Sequence, residues 1–380
     1  MYKCGIVISG KLGICKLNEI FRRYVMDIKI TKAAELKPKY KDASTLGFGK
    51  MFTDHMFIME YTEGEGWQNP RIEPYHRLAL DPSSSVLHYA QEIFEGLKAY
   101  KDQNGKITMF RPIENCRRLN NSAKRLCMPT IDEDLNMAAM KALVSVERDW
   151  IPTLEGTSLY LRPTMIANDE ALGVHAAKNY IYYIIASPSG AYYKEGLAPV
   201  NIKIEEKYIR AVRGGMGEAK TGGNYAASIR AGEEAGKEGY AQVLWLDGEE
   251  RKYIEEVGAM NMMFVINNTI ITPELDGSIL PGITRKSTIE LARSLGYKVE
   301  ERKVSVAEVM DAARSGALTE AFGTGTAAVI SPVGMLAYKD EKITLGNGEI
   351  GKISQQLYDT LTGIQRGKIE DKFGWITVVE

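Results

Sequence analysis

Between Gly214 and Gly223 the chain sets five glycines in ten residues around a single lysine, Lys220, and Thr221 and Tyr225 follow close by. Glycine loses more conformational freedom on folding than any other residue, so such a density costs stability. The segment predicts a loop whose backbone must approach a bound group closely or take angles closed to other residues. The ε-amine of Lys220 then stands where an aldehyde could capture it as an imine.

A chain of 380 residues exceeds the size at which one hydrophobic core stops growing, so two domains are expected. Turn residues gather at Pro188-Ser189-Gly190 and between Gly196 and Pro199. They predict a division into an extension of uncertain status at 1–31, a small N-terminal α/β domain at 32–189, a linker at 190–199 and a larger domain at 200–380. The first 25 residues carry Lys3, Lys11, Lys16, Glu19, Arg22 and Arg23 with no continuous apolar run, which argues against a signal peptide. No stretch is long and apolar enough for a membrane helix. A formal net charge of −1 gives no attraction to nucleic acid or an anionic membrane surface. Basic residues do cluster at Arg117, Arg118, Lys124 and Arg125, and their helical spacing reads as a solvated face. Cys4, Cys15, Cys116 and Cys127 form no Cys-x-x-Cys pair, which fits a reducing cytoplasm. His55, His76, His88 and His175 lack metal-ligand spacing, so no metal is expected and structural roles are.

Hydrophobic periodicity predicts a mixed α/β (α+β) arrangement. Strands are expected at 56–61, 106–110, 158–164, 179–186, 200–204, 242–247, 260–267 and 298–303. Helices are expected at 112–127, 134–150, 226–235, 285–295, 306–314 and 351–362.

If Lys220 carries an aldehyde cofactor, a ring nitrogen needs a carboxylate and a phosphate needs an anion site. Glu256 directly precedes an apolar strand, and alternation sends its neighbour Glu255 to the opposite face. Leu280-Pro281-Gly282-Ile283-Thr284-Arg285 leads into a helix, whose free N–H groups attract anions. The small-residue turn at 322–328 offers further backbone donors, and Arg111 is a fixed cation able to hold phosphate or to make a salt bridge. A phosphotransferase loop of the Walker type is the rival. Lys220-Thr221 is in register with Gly214, but Ala219 stands where that motif needs glycine, and Gly222-Gly223 would interrupt the helix that should follow.

Residues 48–56, Leu87-His88-Tyr89 with 93–100, Phe110-Arg111-Pro112, Leu159-Tyr160-Leu161-Arg162-Pro163, 220–225, Glu256-Val257-Gly258 and 322–327 together resemble the branched-chain amino acid aminotransferases. These are two-domain, fold-type IV enzymes of class IV that depend on pyridoxal 5′-phosphate. The resemblance runs in order from about residue 32 to the C-terminus. It implies that Lys220 holds the cofactor as a Schiff base, that Tyr225 contacts the ring oxygen and that Glu256 pairs with the ring nitrogen. Arg111, the backbone of Ile283 and Thr284, and Thr326 would cradle the phosphate, with Arg210 close by. Phe48, Tyr89, Phe94 and Tyr160 would wall the substrate pocket, and Val174 would enter from the partner subunit of a homodimer. The substrate carboxylate would meet N–H groups at Ala259 and Ala327, helped by Tyr89. Arg162 and Lys98 are the candidates for the γ-carboxylate of 2-oxoglutarate.

Two departures stand out. Many animal members have threonine at the place of Ala259, and they carry a redox Cys-x-x-Cys where Ala328 and Ser331 stand here, so no thiol switch is expected. D-amino acid aminotransferases and aminodeoxychorismate lyases share the fold type but lack the long N-terminal blocks seen here. A pyridoxal-phosphate carrier without catalysis is the remaining alternative.

Overall fold

A computed structural model of the chain describes residues 28–102, 104–191 and 197–379. The expected leader, with Cys4 and Cys15, lies almost wholly outside these residues, as does part of the expected linker. Two nine-stranded sheets organise the molecule. The first contains β1 (Lys29–Ile30), β2 (His55–Thr62), β3 (Gly66–Pro74), β4 (Glu92–Phe94), β5 (Leu97–Lys101), β6 (Ile107–Phe110), β7 (Ser158–Ala167) and β8 (Asn179–Ser189). In β8 the alternate residues Tyr180, Tyr182, Ile184 and Ala186 are buried, as a sheet with one covered face requires. The cover is the helix pair Pro112–Arg125 and Glu133–Val146, which contributes Cys116, Leu119, Ala123, Leu143 and Val144 to that core.

The second sheet holds β9 (Val200–Ile204), β10 (Gln242–Leu246), β11 (Ile254–Val257), β12 (Met260–Ile266), β13 (Thr269–Thr272), β14 (Lys298–Glu301), β15 (Leu318–Gly325), β16 (Val329–Tyr338) and β17 (Glu341–Thr344). Its order runs β11-β10-β9-β16-β15-β12-β13-β14, and an extra pairing of β11 with β12 closes six strands into a ring. Closure covers the β11 edge, leaving β14 as an edge, and encloses Ile202, Leu244, Ile254, Val257, Met262 and Phe264. The last strand, β18 (Ile376–Val378), leaves this half and pairs antiparallel with β6 of the first sheet. Around it Tyr100 and Phe110 of the first half pack with Met263, Ile289, Leu357 and Trp375 of the second.

Local chemistry starts and stops the helices. Asp132 accepts from Asp134 N and Leu135 N at 3.0 Å, and Ser305 accepts from Glu308 N at 3.1 Å before the helix Val306–Ser315. That helix ends on Gly316, whose φ of 77° suits the left-handed terminus. The helix after the lysine begins at Gly222 and runs to Lys237, so the two glycines open the helix and do not interrupt it. Helix starts tolerate glycine better than helix middles, because the first N–H groups have no partner within the helix in any case.

Candidate active site

Lys220 sits where the first sheet meets the glycine loop. Its backbone N donates to Ser122 Oγ at 2.9 Å, and its carbonyl accepts from Phe94 N at 3.0 Å. The next turn is held as well, because Glu92 accepts from Gly222 N. A Cβ on Gly222 would stand 2.1 Å from that carboxylate, and one on Gly217 would stand 2.0 Å from Ser278 O, so both positions need the missing side chain.

The side chain of Lys220 reaches Tyr225 Oη at 2.6 Å, and its amine lies 4.8 Å from the centre of the Phe94 ring. Burial, then the neighbouring Arg118 cation, brings its pKa down to about 8 against the opposing pull of Glu95. Burial, then Glu256, pushes the Tyr225 phenol up to about 12, so the hydroxyl keeps its proton. The amine opens on a cavity of about 240 Å3 whose walls include Phe48, Phe94, Tyr160, Arg162, Ala259, Thr326 and Ala327. Phe48 packs edge-on against Tyr160 with centroids 4.8 Å apart, and the Arg162 guanidinium lies 4.7 Å over Phe94. Nine of the residues expected at the site, counting Lys220 and Tyr225, therefore share one cavity.

Glu256 and Glu255 point to opposite sides of β11, as alternation predicts. Glu256 is buried, accepts from Leu280 N at 2.7 Å and lies 3.2 Å from Arg210 Nε. Burial raises its pKa, opposed by Arg210 and the Leu280 N–H. Arg210 also donates to the carbonyls of Gly217 and Ser278, tying the glycine loop to the segment before Ile283.

Arg111 is elsewhere. It pairs with Glu290 at 2.9 Å, donates to Ser287 Oγ at 3.0 Å and stacks 5.0 Å over Trp375. Its cation is spent on clamping the C-terminal strand, away from the Lys220 cavity. Arg118, expected on a solvated face, is buried and grips Glu95 through two bonds of 2.8 Å. Its third contact is Pro281 O at 3.1 Å, at the entrance to the helix Ile283–Ser294. Burial disfavours the Glu95 carboxylate, but Arg118 outweighs it and holds the pKa below the ordinary value. The signal was present in the spacing, since Asn115, Arg118 and Ser122 recur on the helix face that buries Leu119. Gln242, which also lines the cavity, carried no such signal.

The N–H groups of Ile283 and Thr284 begin a helix whose cap, Gly282, has no side chain to satisfy them. A Cβ there would lie 1.9 Å from Asn261 Oδ1. Buried amine, buried carboxylate, fixed cation and open helix terminus form a donor set that fits pyridoxal phosphate. Tyr89 and Val174 do not line the cavity. The Tyr89 hydroxyl donates to Leu172 O, and Leu87, Leu172 and Val174 beside it are exposed. Among the described residues no cluster of His, Cys, Asp and Glu could hold a metal, and no helix is long and apolar enough to cross a membrane.

Comparison with known proteins agrees with this geometry. The class IV amino-transferase family matches residues 92–335. Branched-chain-amino-acid aminotransferase 2 of Bacillus subtilis is 53% identical over 93% of this chain and 97% of its own length. The crystal structure of the Escherichia coli branched-chain amino acid aminotransferase superposes with a TM-score of 0.70 at 30% identity, over 85% of this chain and 99% of that one. The branched-chain amino acid aminotransferase of Thermobaculum terrenum in its PLP (holo) form gives a TM-score of 0.67 at 25% identity, over 85% of this chain and 98% of that one. The fold and the site define a class IV aminotransferase. Within that class the chain belongs to the branched-chain-amino-acid aminotransferases.

Proposed function

We propose that this protein transfers the amino group of L-leucine, L-isoleucine or L-valine to 2-oxoglutarate in two half-reactions, with pyridoxal 5′-phosphate held by Lys220. The observation that carries the reading is the buried Lys220 amine, which has no carboxylate bonded to it among the described residues and stands 2.6 Å from Tyr225 Oη at the wall of an aromatic cavity. When bound, the cofactor supplies an aldehyde that condenses with amines and a ring that draws electrons from the substrate Cα.

The chain's own residues do the rest. Arg118, with the N–H groups of Ile283 and Thr284 and the Thr326 hydroxyl, would hold the phosphate. Glu256 would keep a proton on the ring nitrogen, and Arg210 keeps Glu256 in place. The Lys220 amine would serve as the base that accepts the substrate Cα proton on Nζ and, as the ammonium, as the acid that gives it back. A pKa near 8 leaves a useful fraction of neutral amine at neutral pH, which an ordinary lysine does not have. Phe48, Phe94 and Tyr160 favour an aliphatic side chain, and Ala259 and Ala327 offer backbone N–H groups to the substrate carboxylate. Arg162, whose Nε is buried without a partner among the described residues, is suited to the γ-carboxylate of the second substrate. The exposed Leu87, Tyr89, Leu172 and Val174 support a homodimer in which a partner covers this face. The cysteine pattern supports a cytoplasmic protein.

The test is twofold. Borohydride reduction of the loaded enzyme followed by peptide mapping should label Lys220, and a label on another residue overturns the assignment. Rates with L-leucine, D-alanine and aminodeoxychorismate as separate substrates should favour L-leucine, and preference for either of the others selects a different member of the same fold type.

A further inference from the structure

The turn at 326–328 has a second cavity behind it. This space, about 470 Å3, is lined by Lys98, Tyr100, Tyr358 and Arg366, and Ala327 and Ala328 stand in its wall and in that of the catalytic pocket. Lys98 enters it because its neighbours on β5, Leu97 and Ala99, are buried in the sheet core and send it to the other face. Its Nζ donates to Ala327 O at 2.8 Å and has no ion pair among the described residues. Arg366 follows the helix Lys352–Gln365, donates to Thr157 O and lies 5.6 Å over the Tyr100 ring, likewise without an ion pair there. The acids in the same wall are engaged elsewhere: Glu155 pairs with Lys368 at 2.7 Å and Asp359 accepts from Gln355 at 2.9 Å.

Of the three cations that line this space, Lys368 is paired with Glu155, and Lys98 and Arg366 have no ion pair among the described residues. Burial, then repulsion from Arg366, brings the Lys98 pKa down to about 7. Around them Val329, Tyr358 and Ile369 supply apolar surface, which suits a ligand with a carbon chain better than a bare inorganic ion.

We propose that this chamber is a binding site for a small aliphatic carboxylate, seated between Lys98 Nζ and the Arg366 guanidinium and separate from the catalytic pocket. Because Lys98 also holds the Ala327 carbonyl, occupancy bears on the turn that walls the catalytic pocket. The binding does not depend on the transaminase reading; only its consequence for turnover does.

The probe is glutarate, which has no amino or oxo group to exchange. Calorimetry on the loaded enzyme at pH 6.5 and fixed ionic strength should detect binding that Arg366→Gln weakens about tenfold or more, the loss of one charge-assisted contact. Arg366→Lys should largely restore it, and Arg162→Gln, which removes the cation proposed for 2-oxoglutarate in the catalytic pocket, should leave it in place. Should Arg366→Gln fail to fold, as judged by thermal melting, Lys98→Met takes its place with the same expected loss. Because a carboxylate favours the Lys98 ammonium, binding at pH 7.5 should draw protons from the buffer. The proposal fails if glutarate does not bind, if Arg162→Gln removes binding, if both cation variants bind normally, or if inorganic phosphate binds equally well and displaces glutarate.

Discussion

Two arginines of one helix, Arg111 at its cap and Arg118 in its middle, show what a single residue can and cannot reveal in sequence. Arg111 stands beside proline in a conspicuous tripeptide, yet its guanidinium is used up by Glu290, Ser287 and Trp375. Arg118 stands in a run of basic residues that reads as solvated, yet it is buried against Glu95 and Pro281. Charge is legible in a sequence; the partner that claims the charge is not, because Glu290 lies far along the chain. On the proposed reading, Arg118→Gln should weaken cofactor affinity at least about tenfold, since it would remove a charged phosphate contact and leave the Glu95 charge unpaired. Arg111→Gln should lower the melting temperature while leaving cofactor affinity within about twofold. Equilibrium dialysis with pyridoxal phosphate separates the two, and equal loss of affinity would return the role to Arg111.

Lys220 carries a pH prediction at the same scale. Its pKa is depressed from 10.5 to about 8 in the folded protein. Between these values the unfolded chain binds the proton and the folded chain does not, so the group's contribution to stability increases as pH rises through that window. Cofactor-free protein should thus lose part of its stability gain between pH 8 and 10.5 when Lys220→Met is made, measured by urea unfolding at several pH values. Glu255 has the opposite sign. Burial, set against a bond from Ser278 and the charge of Arg210, raises it to about 7, so it costs stability as pH rises from 4.5 to 7. Glu255→Gln keeps an acceptor for Ser278 and should raise the melting temperature more at pH 8 than at pH 5.

At the scale of elements, six of the seven α-helices but only eight of the eighteen strands among the described residues were legible, those whose periods of 3.6 and two residues are strong. The helix Gly222–Lys237 shows where that reading stops. Its cap residue, Thr221, makes no capping bond, and the acceptor comes from Glu92 on β4, more than a hundred residues earlier. A cap borrowed from another strand leaves no local signature, which is why the paired glycines read as an interruption. The same strand gives Phe94 N to the Lys220 carbonyl, so β4 fixes the lysine from both of its ends. Glu92→Ala should cost about 1 kcal/mol of stability, as an ordinary lost N-cap does. It should also lower kcat with L-leucine several-fold, because the displaced Gly222 turn carries Lys220 with it. A variant that loses stability but keeps full kcat would make Glu92 a cap only.

At the scale of the whole molecule, the least legible feature is that the chain's end returns to its beginning. A short run such as Ile376–Val378 has no period to read, and its partner β6 is set by three-dimensional closure. Yet it brings Trp375 to a point where Phe373 stacks at 4.1 Å, Phe110 packs edge-on at 5.5 Å and Arg111 lies over the ring. Trp375 is 5% exposed and belongs to a core cluster that mixes residues of both sheets. The site depends on this joint, because Arg118 rides on the helix from the first half while Ile283 and Thr284 belong to the second. Trp375→Ala should cost about 3 to 5 kcal/mol by denaturant unfolding, the range for a large buried aromatic. If the joint holds the halves in register, the same variant should weaken cofactor binding although Trp375 does not line the catalytic cavity. Normal affinity in the folded variant would mean that Arg118 and the Ile283 helix are held together by the Pro281 contact alone.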